Sequence, residues 1–224
     1  MTLSRRLVAE GVGTALLVTA VIGSGIMAQR LAGGDGAVAL LANTLATGAA
    51  LVALILTFGP ISGAHFNPIV TGGLAAMREI SARDAITYVL AQGVGGVAGA
   101  VLANAMFDLD PVTWSTTVRS GRALLLSEAV ATFGLIGVVI ATSRTRPSIA
   151  PFAVAAYIVA AYWFTASTSF ANPAVTLARA ASDTFAGIRP ADVPAFVAAQ
   201  VIGGAAAVAL FGWLVPRSTV ATPP

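Results

Sequence analysis

Long apolar runs broken by short polar intervals set the pattern of this chain. Six runs, at about 7–27, 37–58, 85–107, 123–142, 149–168 and 194–213, reach the roughly 20 residues that a membrane-spanning helix needs. Two further apolar stretches, at about 67–77 and 172–182, are too short to span. Eleven residues at about 1.5 Å each cover roughly half of a hydrocarbon core, so the pair predicts two re-entrant half-helices. The positively charged start followed by an apolar run resembles a secretory signal, but the run is longer than a signal core and five more spans follow, which favours a first membrane helix.

Each short stretch opens on the same dipeptide: Asn67-Pro68-Ile69-Val70-Thr71 and Asn172-Pro173-Ala174-Val175-Thr176. Asn caps free N–H groups at a helix start, and Pro at the first helical position loses no bond it would have made. A capping Asn accepts with its oxygen and keeps its NH2 donors for something else. Two such donors at mid-membrane, Asn67 and Asn172, make a site for a neutral, hydrogen-bond-accepting solute. The halves echo each other elsewhere: Glu10-Gly-Val-Gly-Thr14 matches Glu128-Ala-Val-Ala-Thr132, and Gln92-Gly-Val-Gly-Gly96 matches Gln200-Val-Ile-Gly-Gly204. Three spans per repeat is an odd number, so the second copy is inverted, with its site at the repeat interface. The expected fold is an all-α membrane protein of six transmembrane helices plus two half-helices. It forms one domain over residues 1–224, with repeats at about 7–107 and 121–214 joined by a linker at about 108–121.

Composition sharpens this reading. The chain is 57% hydrophobic and 9% charged, with a mean hydropathy of +0.88, against about 25% charged residues in soluble domains. Every basic residue is Arg, and the net charge of +3 makes no case for nucleic-acid binding. There is no Cys and one His, hence no disulfide, thiolate nucleophile or metal cluster; no cofactor or enzymatic motif is evident. One set of loops holds Arg5, Arg6, Arg78, Arg83, Arg144, Arg146 and Arg217. The other holds Arg30, Arg119, Arg122, Arg179 and Arg189, which favours both termini inside.

With Ser62-Gly-Ala-His-Phe-Asn-Pro68, the paired Asn-Pro boxes and the repeated span glutamates, the whole chain resembles the aquaporin superfamily of water and small-solute channels. The resemblance implies a passive channel in the cell membrane and a homotetramer embedded in lipid. It also implies that Glu10 and Glu128 fix the pore loops, the alternatives being a proton relay or an ion site. His65 is read as loop-fixing or pore-lining. Ile69 stands where the family usually has Ala, and it either narrows the pore or packs behind it.

One departure is prominent. Most relatives place Arg directly after the second Asn-Pro-Ala; this chain has Val175. Family spacing puts the other filter positions at Thr47, Ala160 and Ser169, a wide ring with neither charge nor aromatic. The next arginine, Arg179, falls one turn toward the outer mouth. There it either retains part of the charge barrier, unless Asp183 four residues on neutralises it, or snorkels into solvent. The pattern resembles bacterial aquaporins associated with arsenic resistance. It implies passage of glycerol-like polyols and trivalent arsenic acids besides water. The rivals are a water-selective aquaporin and an ion-coupled transporter with broken helices; short termini weigh against a scaffolding role.

Overall fold

A computed structural model describes residues 1–216; Arg217, counted above for orientation, lies outside them. Among the described residues the chain forms eight α-helices: α1 (Leu3–Leu31), α2 (Gly36–Ser62), α3 (Pro68–Ala76), α4 (Ala82–Met106), α5 (Arg122–Thr145), α6 (Ala150–Phe164), α7 (Pro173–Arg179) and α8 (Val193–Leu214). Local chemistry sets several boundaries. Asp35 caps α2 by accepting from Ala37 and Val38, and Ser81 caps α4 by accepting from Asp84. Gly63, at φ +91°, ends α2 in the left-handed conformation that glycine adopts without steric cost. Five spans, including one read over Pro190–Leu214, are long and apolar enough to cross a bilayer.

The sixth, α6, has only 15 residues. The expected run to residue 168 stops at Phe164 because the following hydroxyls compete for the backbone. Thr165 Oγ1 donates to Ala161 O at 2.6 Å, Ser127 Oγ accepts from Ala166 N at 3.1 Å, and Ser167 Oγ accepts from Ser169 N at 3.2 Å.

Burial is inverted relative to a water-soluble protein. Large apolar side chains such as Val8, Val94, Leu126 and Ile202 point outward, while Glu10, Gln92, Glu128 and Gln200 are fully buried, as a lipid-embedded bundle requires. The halves pack alike: α1 lies on α4 as α5 lies on α8, and α3 and α7 are each wedged between α4 and α8. The close approach needs glycine. A Cβ at Gly95 would overlap the Gly11 carbonyl, and one at Gly203 would overlap the Ala129 carbonyl.

The 108–121 linker runs over the second half rather than across open solvent. Thr113 N and Ser115 N donate to Ala181 O and Ala180 O at 3.1 and 2.9 Å, and Arg189 N donates to Thr117 O at 2.8 Å. At one end of the bundle Arg6 pairs with Asp84 at 3.1 Å and Arg144 with Glu79 at 2.8 Å.

Candidate functional site

The two half-helices begin beside each other, and each capping asparagine is tied to the other half. Asn67 Oδ1 accepts from Ile69 N at 2.8 Å while its Nδ2 donates to Ala171 O at 2.8 Å. Asn172 Oδ1 accepts from Ala174 N and Val175 N at 3.0 and 3.3 Å, and its Nδ2 donates to Phe66 O at 2.8 Å. Each amide thereby spends one proton crossing to the other loop and retains a second donor.

The carbonyls that receive these bonds sit in strained turns. Ala64 and Phe66 before Asn67, and Ser169 and Ala171 before Asn172, all have φ near +50°. Each costs about 1–3 kcal/mol for a non-glycine residue. A buried carboxylate holds each turn. Glu10 accepts from Ser62 Oγ (2.6 Å), His65 N (3.0 Å), Phe66 N (2.8 Å) and Gln92 Nε2 (2.8 Å). Glu128 accepts from Phe170 N (2.9 Å), Ala171 N (2.9 Å) and Gln200 Nε2 (2.6 Å). Charge-assisted bonds of this number offset the burial of the charge. Gln92 and Gln200 each also donate to a half-helix threonine, Thr71 or Thr176, at 2.9 Å. The matched positions of these glutamines and threonines in the repeats carried the signal for this network, although the sequence reading gave them no role. His65 lies beside its own half-helix, with Nδ1 3.0 Å from Thr71 Oγ1.

A cavity of about 480 Å³ runs from Ser143, Pro147 and Ser148 at the α5–α6 connection, past His65, Asn67 and Asn172, to Thr47, Tyr162, Ser169, Phe170, Val175 and Arg179. Three of the four expected filter positions line it. Ala160 does not: it is exposed on the outer surface of α6, and Tyr162, two residues on, faces inward. Two residues rotate a helix by about 200°, so Ala160, at the family offset, and Tyr162 lie on opposite faces of α6. Tyr162 Oη lies 3.4 Å from Thr47 Oγ1. The expected ring free of charge and aromatics is therefore corrected. Tyr162, Phe170 and Arg179 are all present, and the sequence offsets missed the first two.

Arg179 is 3% exposed, so it does not snorkel into solvent. Its Nε donates to Ala186 O, and its guanidinium lies over the Phe170 ring at 3.3 Å. The Arg179–Asp183 pairing that would have neutralised Arg179 is absent among the described residues. Helix α7 stops at Arg179, and Asp183 instead accepts from Thr116 N at 2.9 Å and Thr116 Oγ1 at 3.1 Å. Ile69 packs behind the pore, against Gly204 of α8, and does not line the cavity. Pro68 and Pro173 open their half-helices, and Ala174 is buried against Gly96. From the linker, Arg119 donates through Nε to Gly187 O at 2.7 Å and lies 4.9 Å from the same Phe170 ring. Burial pulls its guanidinium below the ordinary arginine value.

Inverted half-helices meeting at paired asparagines, inside a bundle of six longer helices with a cavity running past them, define an integral multi-pass membrane protein of the channel class. The family model for major intrinsic proteins matches residues 1–165, and the chain belongs to that family, whose aquaporins and aquaglyceroporins are channels rather than enzymes. It is 55% identical to the aquaglyceroporin AqpS of Rhizobium meliloti (strain 1021) over 95% of this chain and 91% of that protein. It is 28% identical to a protein described as a probable aquaporin, AqpM, of Archaeoglobus fulgidus, over 96% and 98% of the two chains. Its fold matches the X-ray structure of the aquaglyceroporin from Plasmodium falciparum with a TM-score of 0.72 at 16% identity, covering 96% of this chain and 98% of that one.

Proposed function

We propose that this chain forms a passive pore for water and small uncharged, oxygen-bearing solutes of the glycerol type. The observation that carries this reading is the cavity past Asn67 and Asn172, whose remaining amide donors face a path otherwise lined largely by apolar groups. A solute with hydroxyl or carbonyl oxygens replaces its water partners there. A cation meets donors and helix N-termini but few acceptors. Likeness to an aquaglyceroporin over most of both chains supports the same reading. Undissociated arsenous acid, a neutral trihydroxy species, belongs to the same chemical class and is part of the proposal. So are a single channel domain over residues 1–224, a homotetramer in the cell membrane and cytoplasmic termini.

Ion-coupled transport fits the residues less well. Glu10 and Glu128, the carboxylates it would need, are saturated with loop donors and do not line the cavity. Stopped-flow light scattering of proteoliposomes, with outward gradients of sucrose, glycerol or arsenite, tests the proposal. Water and glycerol permeabilities well above empty liposomes are expected. Uphill glycerol uptake driven by a proton or sodium gradient would replace the channel by a transporter.

A further inference from the structure

We propose that Arg179, one helical turn beyond Val175, supplies the cationic group of the outer constriction, seated on the Phe170 ring, and that Arg119 of the linker positions that seat. The inference rests on the channel reading above.

Pseudo-symmetry gives the first argument. Three and seven residues after Asn67, Val70 and Leu74 line the cavity; three and seven after Asn172, Val175 and Arg179 do the same. The later position is thus pore-facing in both halves, neutral in one and a guanidinium in the other. Helical side chains lean toward the helix N-terminus, so a long side chain on the last turn of α7 reaches back to the level of the preceding loop. Its 3.3 Å approach to Phe170, two residues before Asn172, places it there.

Its bonding leaves it free to act on a solute. Among the described residues Arg179 joins none of the ion pairs, and Asp183 is committed to Thr116. Nε is held by Ala186 O, while the terminal N–H groups have no protein acceptor among the described residues. An uncompensated charge with spare planar donors at a constriction repels cations and offers paired hydrogen bonds to solute oxygens.

Arg119 acts through the seat. Its backbone N donates to Asp192 Oδ2 at 2.8 Å and its Nε to Gly187 O at 2.7 Å, fixing it over the ring that carries Arg179. The segment joining the two halves thereby reaches the filter without lining the cavity. It is a positioning residue, and a second positive charge near the same ring.

The test uses the full chain in liposomes, with stopped-flow permeability to water and glycerol, and potassium leak read by a voltage-sensitive dye. Wild-type vesicles should show no potassium leak above empty liposomes. Arg179→Ala should raise the glycerol-to-water permeability ratio by about tenfold, the equivalent of about 1.4 kcal/mol, and open a potassium leak. The exchange Val175→Arg with Arg179→Val should close the leak again. Arg119→Ala should shift the ratio the same way by about threefold, and should add nothing in the Arg179→Ala background, as coupling through one seat requires. Should Arg179→Ala fail to fold, Arg179→Gln keeps a polar amide at the position, removes the charge and should open the same leak. A folded Arg179→Ala or Arg179→Gln with wild-type ratio and no leak overturns the proposal and leaves the channel reading intact. A wild-type chain that passes neither water nor glycerol overturns both.

Discussion

The loop before α3 and the loop before α7 share one skeleton and differ in what they show to the pore. In each, a buried glutamate holds two successive backbone N–H groups, a glutamine bridges that carboxylate to a half-helix threonine, and the turn's last carbonyl receives the opposite asparagine. Two residues before the asparagine the loops diverge. His65 sits in the first, turned onto Thr71; Phe170 sits in the second, beneath Arg179 and Arg119. The repeated residues build a scaffold indifferent to the direction of crossing, and the proposal above puts selectivity where the copies are no longer copies.

Breaking the shared skeleton should have the largest effects. Glu10→Ala or Glu128→Ala orphans two backbone donors and a glutamine amide, at about 1–3 kcal/mol each, and releases turns held at positive φ. We expect loss of the folded detergent-solubilised protein, read as early aggregation in size-exclusion thermal scans. Full recovery at wild-type melting temperature would show that the carboxylates do not hold the loops.

Next comes the point where the halves cross. Asn172→Asp keeps the cap oxygen but replaces the donor to Phe66 O by an acceptor and adds a negative charge. Glycerol flux in liposomes should fall by about tenfold or more, the loss of roughly 1.4 kcal/mol or more at the barrier, with potassium leak appearing. Asn67→Asp should do the same through Ala171 O. A strong effect in only one of the two would show that the crossed amides are not equivalent.

This contrast also explains what the sequence could and could not disclose. Spans, half-helices, the capping asparagines and the repeated glutamates were legible because each is written locally and then written twice. The identity of the residues lining the cavity beyond the asparagines was not, because it depends on how each helix is turned and where it stops. Tyr162, and not the Ala160 reached by counting back from Asn172, lies on the inward face of α6. The end of α7 at Arg179 removes the one-turn geometry that would have set Asp183 against it. The side on which Ile69 packs required α8 to be placed, since Gly204 makes the room.

A smaller change sharpens the difference between the mouths. Val175→Arg adds a second guanidinium one turn from Arg179, where the first half has only Val70 and Leu74. Bulk and like charge together should lower glycerol permeability about three- to tenfold more than water permeability, an increment of roughly 0.7–1.4 kcal/mol for the larger solute. Equal reduction of both would mean that Val175 does not face the narrowest section.

The smallest expected effect concerns Ile69, the residue that breaks the likeness of the two boxes. Its side chain fills the space left by the missing Cβ of Gly204 and packs with Ile136, Ile140 and Ala207 behind the pore, beside Val70 of the cavity wall. Ile69→Ala removes that packing, and a partly buried site of this kind should lose about 1–2 kcal/mol, below the 2–5 kcal/mol of a full core truncation. The melting temperature should therefore drop by a few degrees. The water-to-glycerol ratio should stay within twofold of wild type, since no atom leaves the cavity wall. Adding Gly204→Ala to Ile69→Ala should recover part of the lost stability, because the new methyl enters the vacated space. A rise in glycerol permeability in Ile69→Ala without loss of stability would move this side chain from the helix interface to the pore.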